Sequence, residues 1–176
     1  MKGTVSIMAV ETERKFLIIR PDPKLLDAQN GLRKLEMIQT YLEYDGNTER
    51  RIRKITENGQ VTYIHTRKSP VPGEKISRFE EEWEITEEKY LSLMKECISE
   101  LSKTRCAFPY AGHVIEIDIY PYEIGGDALE GYAVLEVELR SADEEFALPD
   151  FITVIEELTG TKKFSNKAMA KPKRFK

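Results

Sequence analysis

Glu11-Thr12-Glu13-Arg14-Lys15 runs directly into Phe16-Leu17-Ile18-Ile19, and the reading of this stretch decides the fold. In a β-strand, side chains alternate between faces, so Glu11, Glu13 and Lys15 share one face while Thr12, Arg14 and Phe16 point the other way. Two carboxylates and an amine in a row on one sheet face repel or crowd one another unless something neutralises them. A divalent cation suits the glutamates and an anion suits the lysine. A solvated strand edge carries charged residues too, so the rest of the chain has to decide.

Working outward, the same i, i+2 spacing returns strand after strand. Met37 to Tyr44 reads as extended, with Gln39, Tyr41 and Glu43 on one face. Asp45-Gly46-Asn47 is a hairpin turn, and Glu49 to Ile55 returns with Arg51 and Arg53 on a shared face. After the Asn58-Gly59 turn, Val61 to Lys68 brings Thr66 and Lys68 to one side. Ile76 to Ile85 carries Arg78, Glu80, Glu82 and Glu84 in alternation, with Trp83 on the opposite, packing face. Lys103 and Arg105 open a further strand that turns near Pro109 and Gly112. Val114 to Tyr120 sets Glu116 and Asp118 against Ile115, Ile117 and Ile119. Tyr132 to Arg140 sets Glu136 and Glu138 against Leu135, Val137 and Leu139.

Helices are few. Lys24 to Asn30 is a short one stopped by Gly31. Thr86 caps another, whose apolar stripe is Tyr90, Leu91, Met94, Cys97, Ile98 and Leu101. Asp150 caps a helix through Leu158, and Ser165 to Ala170 forms a last short helix. Gly125-Gly126-Asp127 is a loop, and Lys171 to Lys176 a basic, solvated tail. The pattern predicts an α+β fold of about eight antiparallel strands in one domain over residues 1–176, without internal repeat or linker.

At 176 residues the chain can bury a core without disulfides. Its 27 basic and 31 acidic residues leave a net charge of only −4, which argues against a general nucleic-acid coat. No segment approaches the ~20 apolar residues of a membrane span, and Met1 to Val10 lacks the pattern of a secretory signal. Two cysteines make no disulfide framework, with Cys97 read as a buried thiol, and His65 and His113 form no zinc spacing. These features predict a cytoplasmic protein with no membrane partner.

Same-sign pairs on five or more strands are hard to place on a solvated sheet, which mixes signs to avoid repulsion. If the sheet curls into a barrel with helices outside, the charged faces line its interior, and eight strands enclose room for a small ligand. Lys15, Arg51, Arg53, Lys68, Arg78, Lys103 and Arg105 offer more cations than one carboxylate substrate needs. Arginine forks and lysine point charges suit phosphate oxygens, and the carboxylate pairs suit hard cations such as Mg²⁺ or Mn²⁺. Together they imply a metal–polyphosphate complex and its hydrolysis.

Glu11-x-Glu13-x-Lys15 resembles the ExExK signature of the CYTH superfamily, the triphosphate tunnel metalloenzymes. Gln39-x-Tyr41-Leu42, Arg51-x-Arg53, Thr66-x-Lys68, Arg78-x-Glu80-x-Glu82, Lys103-x-Arg105, Glu116-x-Asp118, Glu136-x-Glu138 and Ser165-Asn166 follow in family order. The resemblance spans nearly the whole chain and implies an eight-stranded antiparallel β-barrel, or tunnel, that binds triphosphates with divalent metal. By it, Glu11, Glu13, Glu136 and Glu138 hold a metal ion, and Glu80 and Glu82 serve a second metal or the attacking water. Arg51, Arg53, Lys68, Arg78, Lys103 and Arg105 grip phosphates, with Lys15 at the reacting end. Tyr41 matches a tyrosine that pairs with this lysine in short bacterial members resembling inorganic triphosphatases. Lys167 closes one tunnel mouth, and Glu116 and Asp118 orient the lumen arginines. Thr40 stands where a glycine often follows the glutamine, and Arg67 replaces an apolar residue. The resemblance leaves open a class IV-type adenylate cyclase, a thiamine triphosphatase, a non-catalytic polyphosphate-binding module, and pairing into a homodimer.

Overall fold

The computed structural model describes residues 7–73, 77–121, 131–141 and 143–172, with the backbone alone for residues 7–11, 77 and 172. The predicted loop at Gly125-Gly126-Asp127 lies outside the described residues. Eight long strands form the body: β1 (Ile7–Ile19), β2 (Arg33–Leu42), β3 (Glu49–Glu57), β4 (Gln60–Pro70), β5 (Ser77–Ile85), β6 (Cys97–Tyr110), β7 (His113–Ile119) and β8 (Tyr132–Leu139). They pair in the order β1-β5-β4-β3-β2-β6-β7-β8 and back to β1, every neighbour antiparallel, so the ring closes. Closure has a cost in register that β1 absorbs. Its residues Ile7 to Thr12 pair with β5 and Thr12 to Ile19 with β8, the stagger a barrel requires. Two short strands extend the ladders. β9 (Val154–Glu157) pairs with β1 at Phe16 to Ile18, and β10 (Lys171–Pro172) pairs with β6 at Glu100 and Ser99.

The hairpins follow from their turn residues. Asn58 and Gly59 both adopt positive φ, 49° and 81°, the pair of left-handed residues that joins right-twisted strands in a two-residue loop. A Cβ at Gly59 would meet nothing within 4 Å, so Gly59→Ala is expected to cost about 1 kcal/mol from backbone strain alone. An unchanged denaturant midpoint would contradict that.

The outer face of β7 and β8 is the main core. Ile115, Ile117, Leu135 and Val137 are fully buried and pack with Phe16, Ile18 and Phe108. Helix packs on this outer face as expected, and irregular chain supplies the rest of the cover. The five-residue helix α1 (Pro23–Asp27) contributes Leu26, while Phe146, Leu148, Phe151 and Ile152 come from a stretch without regular structure. The helix expected from Asp150 to Leu158 is absent. Pairing with the open side of β1 draws Val154–Glu157 into β9 instead.

A second correction concerns the helix after Thr86. Its cap is as read, the Thr86 side chain accepting from the Lys89 amide, but α2 ends at Leu93 (Glu87–Leu93) and passes through a 3₁₀ turn, Met94–Glu96. Cys97, Ile98 and Leu101 belong to β6, where all ten residues of β2 claim its ladder. The apparent stripe is not one face: Tyr90 and Leu93 pack on Leu42 and Ile52, while Leu91 and Ile98 are exposed. Long-range pairing outweighs local helical periodicity here. The basic tail begins later than read, since Lys171 and Pro172 lie in β10.

Inside the barrel the faces that carry charge turn apolar at one end. Leu17, Leu101, Tyr120 and Val134 continue the inward faces of Lys15, Lys103, Asp118 and Glu136. With Leu158 and Met169 of α3 (Asn166–Met169) they form an apolar floor. Ser165 caps α3 by accepting from the Ala168 amide, and Tyr120 donates to Asn166 at 2.7 Å, fixing the helix over that end.

Candidate functional site: a charged barrel lumen

The space above this floor is a cavity of about 880 Å³, within the range of small-ligand sites. Of the residues marked out by the sequence, Glu13, Lys15, Tyr41, Arg51, Arg53, Lys68, Arg78, Glu80, Glu82, Lys103, Arg105, Glu136, Glu138 and Lys167 all line it. The Glu11 side chain lies outside the described residues. Its backbone pairs with Arg78 across β1 and β5.

Register explains the gathering. Lys15 sits opposite Glu136, Glu13 opposite Glu138, Lys68 opposite Glu80 and Arg105 opposite Asp118. The i, i+2 pairs therefore become rows running around the lumen wall. Two networks result. In the first, Arg105 binds Asp118 through Nε at 2.7 Å and Nη2 at 2.8 Å, reaches Glu136 at 2.7 Å through Nη2, and pairs with Glu116. Lys103 also binds Asp118, and Lys15 Nζ lies 2.7 Å from Glu136 and 3.7 Å from Glu13. Asp118 is 0 % and Lys103 3 % exposed, so these charges are tolerable only because they are paired. In the second network, Glu80 takes Arg51 at 3.2 Å and Lys68 at 2.5 Å, and Glu82 takes Arg53 and the Thr66 hydroxyl at 3.1 Å.

The protonation states follow. Burial works against the Glu136 carboxylate, but Lys15, Arg105 and Lys103 outweigh it and hold its pKa well below the usual range. Burial also opposes the Lys15 ammonium, and the Glu136 and Glu13 carboxylates overcome it, raising its pKa above that of ordinary lysine. Lys103 goes the other way, to about 8, because burial and the neighbouring Arg105 exceed the help from Asp118. Burial and Arg51 lower Arg53 to about 10. Tyr41 is pushed up to about 12 by burial, and its hydroxyl accepts from Gln39 at 2.6 Å while Lys15 is held by Glu136. Neither histidine joins the lumen. His65 stacks on Trp83 outside it, and burial with Arg50 and Arg67 brings its pKa down to about 4.

Other lumen residues were not singled out as site residues in the sequence. Glu49 shares the face of Arg51 and Arg53 at the same i, i+2 spacing, so its signal was present. It pairs with Lys167 at 3.1 Å, and the Lys167 ammonium lies 4.0 Å over the Tyr44 ring. Lys162 reaches the cavity from an irregular segment, where no periodicity announces it.

Glu13 and Glu138, directly opposed across β1 and β8 and both facing the cavity, suit a hard divalent cation by donor chemistry, being all-oxygen and anionic. Among the described residues no three carboxyl or imidazole groups converge into a ready metal cluster, and Glu136 is engaged by Lys15 and Arg105.

A closed antiparallel barrel lined by rows of arginine, lysine and glutamate defines a class of charged-lumen barrel whose donor chemistry suits a polyanion. The chain belongs to the CYTH domain family, whose model matches residues 9–172. It is similar to the solved inorganic triphosphatase NE1496, at 27% identity and a TM-score of 0.54 over 93% of this chain and 95% of that one. It shares its fold with the PH1819 protein of Pyrococcus horikoshii OT3, at 24% identity and a TM-score of 0.53 over 76% and 81%. A putative adenylate cyclase of Bacillus halodurans has the same fold, at 17% identity and a TM-score of 0.50 over 77% and 83%. No curated protein matches the chain. No helix among the described residues is long and apolar enough to cross a membrane.

Proposed function

We propose that the chain hydrolyses inorganic tripolyphosphate to diphosphate and phosphate, with Mg²⁺ or Mn²⁺ as cofactor. The observation that carries this reading is a pair of unspent donors. Nε of Arg51 and Nε of Arg53 are buried without a hydrogen-bond partner among the described residues, in a cavity that also holds Lys68, Arg78, Lys103 and Arg105. Buried donors lacking acceptors are costly, and phosphate oxygens satisfy them.

In this reading Arg51, Arg53, Lys68, Arg78, Lys103 and Arg105 grip the phosphates, and Lys15 neutralises charge where the bridging bond breaks. Glu80 and Glu82 orient the attacking water, Tyr41 stands near Arg51 and Lys15 with its proton retained, and Lys167 guards the mouth. Glu11, Glu13, Glu136 and Glu138 hold the cation, which shields phosphate charge and activates water when bound. The inorganic substrate is favoured over a nucleotide by the aromatic inventory. Tyr41 and Tyr44 are the aromatic residues lining the cavity among the described residues. Tyr41 is buried, and the Lys167 ammonium already sits over one face of Tyr44, so the lumen offers no aromatic pair between which a base could be held. NE1496, itself described as an inorganic triphosphatase, adds support.

Phosphate release from tripolyphosphate, ATP and thiamine triphosphate, measured with Mg²⁺, Mn²⁺ or chelator, tests the proposal. Metal-independent release, or turnover of none of the three, would overturn it, and cAMP formed from ATP would replace it with a cyclase. Because Lys103 loses its charge near pH 8, kcat/KM is expected to bend downward there. In Lys103→Arg, whose side chain stays charged, the bend is expected to move to higher pH. A bend unmoved in that variant would assign it elsewhere.

A further inference from the structure

Arginines of this chain meet glutamate in distinct ways, and two pairs of them differ in a telling manner. Arg14 grips Glu157 through Nε and Nη2, both at 2.8 Å, and Arg33 grips Glu57 through the same two atoms at 2.8 and 2.7 Å. These are filled forks, two parallel N–H groups on one carboxylate. In the lumen, Arg51 meets Glu80, and Arg53 meets Glu82, through Nη2 only, and each Nε is left without an acceptor. These two lumen forks are half filled, whereas Asp118 fills that of Arg105.

We infer that Glu80 and Glu82 are placeholder anions, which hold the forks of Arg51 and Arg53 end-on and yield them to polyphosphate, so that anion and divalent cation bind cooperatively. The inference rests on the reading of the lumen as a polyphosphate site. Nε and Nη2 lie on one edge of the guanidinium, as Arg14 and Arg33 show. Nη2 has a second N–H, which at Arg105 holds Glu136 beside a fork filled by Asp118. A phosphate taking the Nε–Nη2 edge of Arg51 or Arg53 nevertheless brings its charge against the carboxylate on the same nitrogen, and that repulsion favours the carboxylate's release. Glu80 is tied to two cations, since Lys68 lies at 2.5 Å from its other oxygen, and a phosphate bridging Arg51 and Lys68 competes for both contacts. A displaced carboxylate is anionic and faces the same cavity, where it favours a cation arriving with the polyphosphate. Coupling of this kind is reciprocal, each ligand strengthening the other by the same factor.

Calorimetric titration of tripolyphosphate, in EDTA and in Mn²⁺, separates the outcomes. Without metal, Glu80→Gln is expected to bind tripolyphosphate about fivefold or more tightly than the wild type, because the neutral amide competes less for Arg51 and Lys68. The gain in affinity on adding Mn²⁺ is expected to shrink in the same variant. Glu82→Gln, at a more exposed side chain, repeats the test on Arg53 should Glu80→Gln fold poorly. Glu138→Gln removes the same charge from β8 and sets the scale of the general field. If both placeholder variants fold and neither gains more metal-free affinity than Glu138→Gln, the inference is overturned while the functional reading stands. If the wild type binds no tripolyphosphate under either condition, the functional reading falls, and this inference with it.

Discussion

Replacing Arg105 by methionine is expected to cost about 3–5 kcal/mol of folding stability, the scale for removing one partner of a buried ionic cluster. Arg105 is shared by Asp118, Glu116 and Glu136. Methionine fills similar volume, so the loss comes from stranded carboxylates rather than from a void. The pH dependence distinguishes this cause from poor packing. In the wild type, Asp118 and Glu136 have folded pKa values below their unfolded ones, against the pull of burial, through Arg105, Lys15 and Lys103. Their contribution is therefore present above the unfolded carboxylate range near pH 4 and is lost as pH falls through the depressed folded values. Without Arg105, burial raises the folded values of the stranded groups. Their protonated form then favours folding, and stability recovers as pH falls from 7 toward 5. Urea midpoints at pH 7 and pH 5 read this directly. A variant within about 1 kcal/mol of wild type at pH 7, or one that only weakens at pH 5, would contradict the account.

The arrangement that makes Arg105 so costly to remove was largely legible in the sequence. Charged residues two apart on successive strands can share one side of a barrel wall only if the register is right, and a slip of one residue would send Lys103 and Arg105 outward. The aliphatic alternation of Ile115, Ile117, Leu135 and Val137 fixes that register from the other face, so pattern and partner agree. Legibility failed where the choice is made at long range. Cys97, Ile98 and Leu101 have helical spacing with Tyr90 and Met94, and nothing local reveals that β2 needs a partner over its whole length. Val154–Glu157 likewise follows a plausible cap at Asp150, yet the open side of β1 makes it a strand. The lumen floor was hidden for a different reason. Leu17, Leu101 and Val134 look like ordinary core residues, and only closure of the ring shows that they block one end of the barrel. The half-filled forks of Arg51 and Arg53 could not be read at all, because sequence gives side-chain direction and not the atom through which a guanidinium is held.

Lys15→Met is expected to lower kcat for tripolyphosphate by about 10²–10³, the scale for removing one preorganised donor from a developing charge. KM should change far less, because Arg51, Arg53, Lys68, Arg78, Lys103 and Arg105 remain to hold the phosphates, and loss confined to kcat marks an interaction made in the transition state. The competing explanation is structural, since Lys15 is also a partner of Glu136. Its folded pKa is raised above the ordinary lysine value, so its stabilising contribution is fully present at neutral pH and disappears only as pH climbs through the folded value. The methionine variant will thus be less stable at pH 7, and kcat must be measured well below its unfolding midpoint. A second control uses charge. Lys15 stays an ammonium throughout the assay range, whereas Lys103 does not, so Lys15→Arg should leave the bend near pH 8 where it is while Lys103→Arg moves it. A Lys15→Met enzyme that keeps kcat within about fivefold of wild type would remove Lys15 from the reacting end. The opening Glu-x-Glu-x-Lys row would then be a binding wall, with the charge of the leaving phosphate met elsewhere in the lumen.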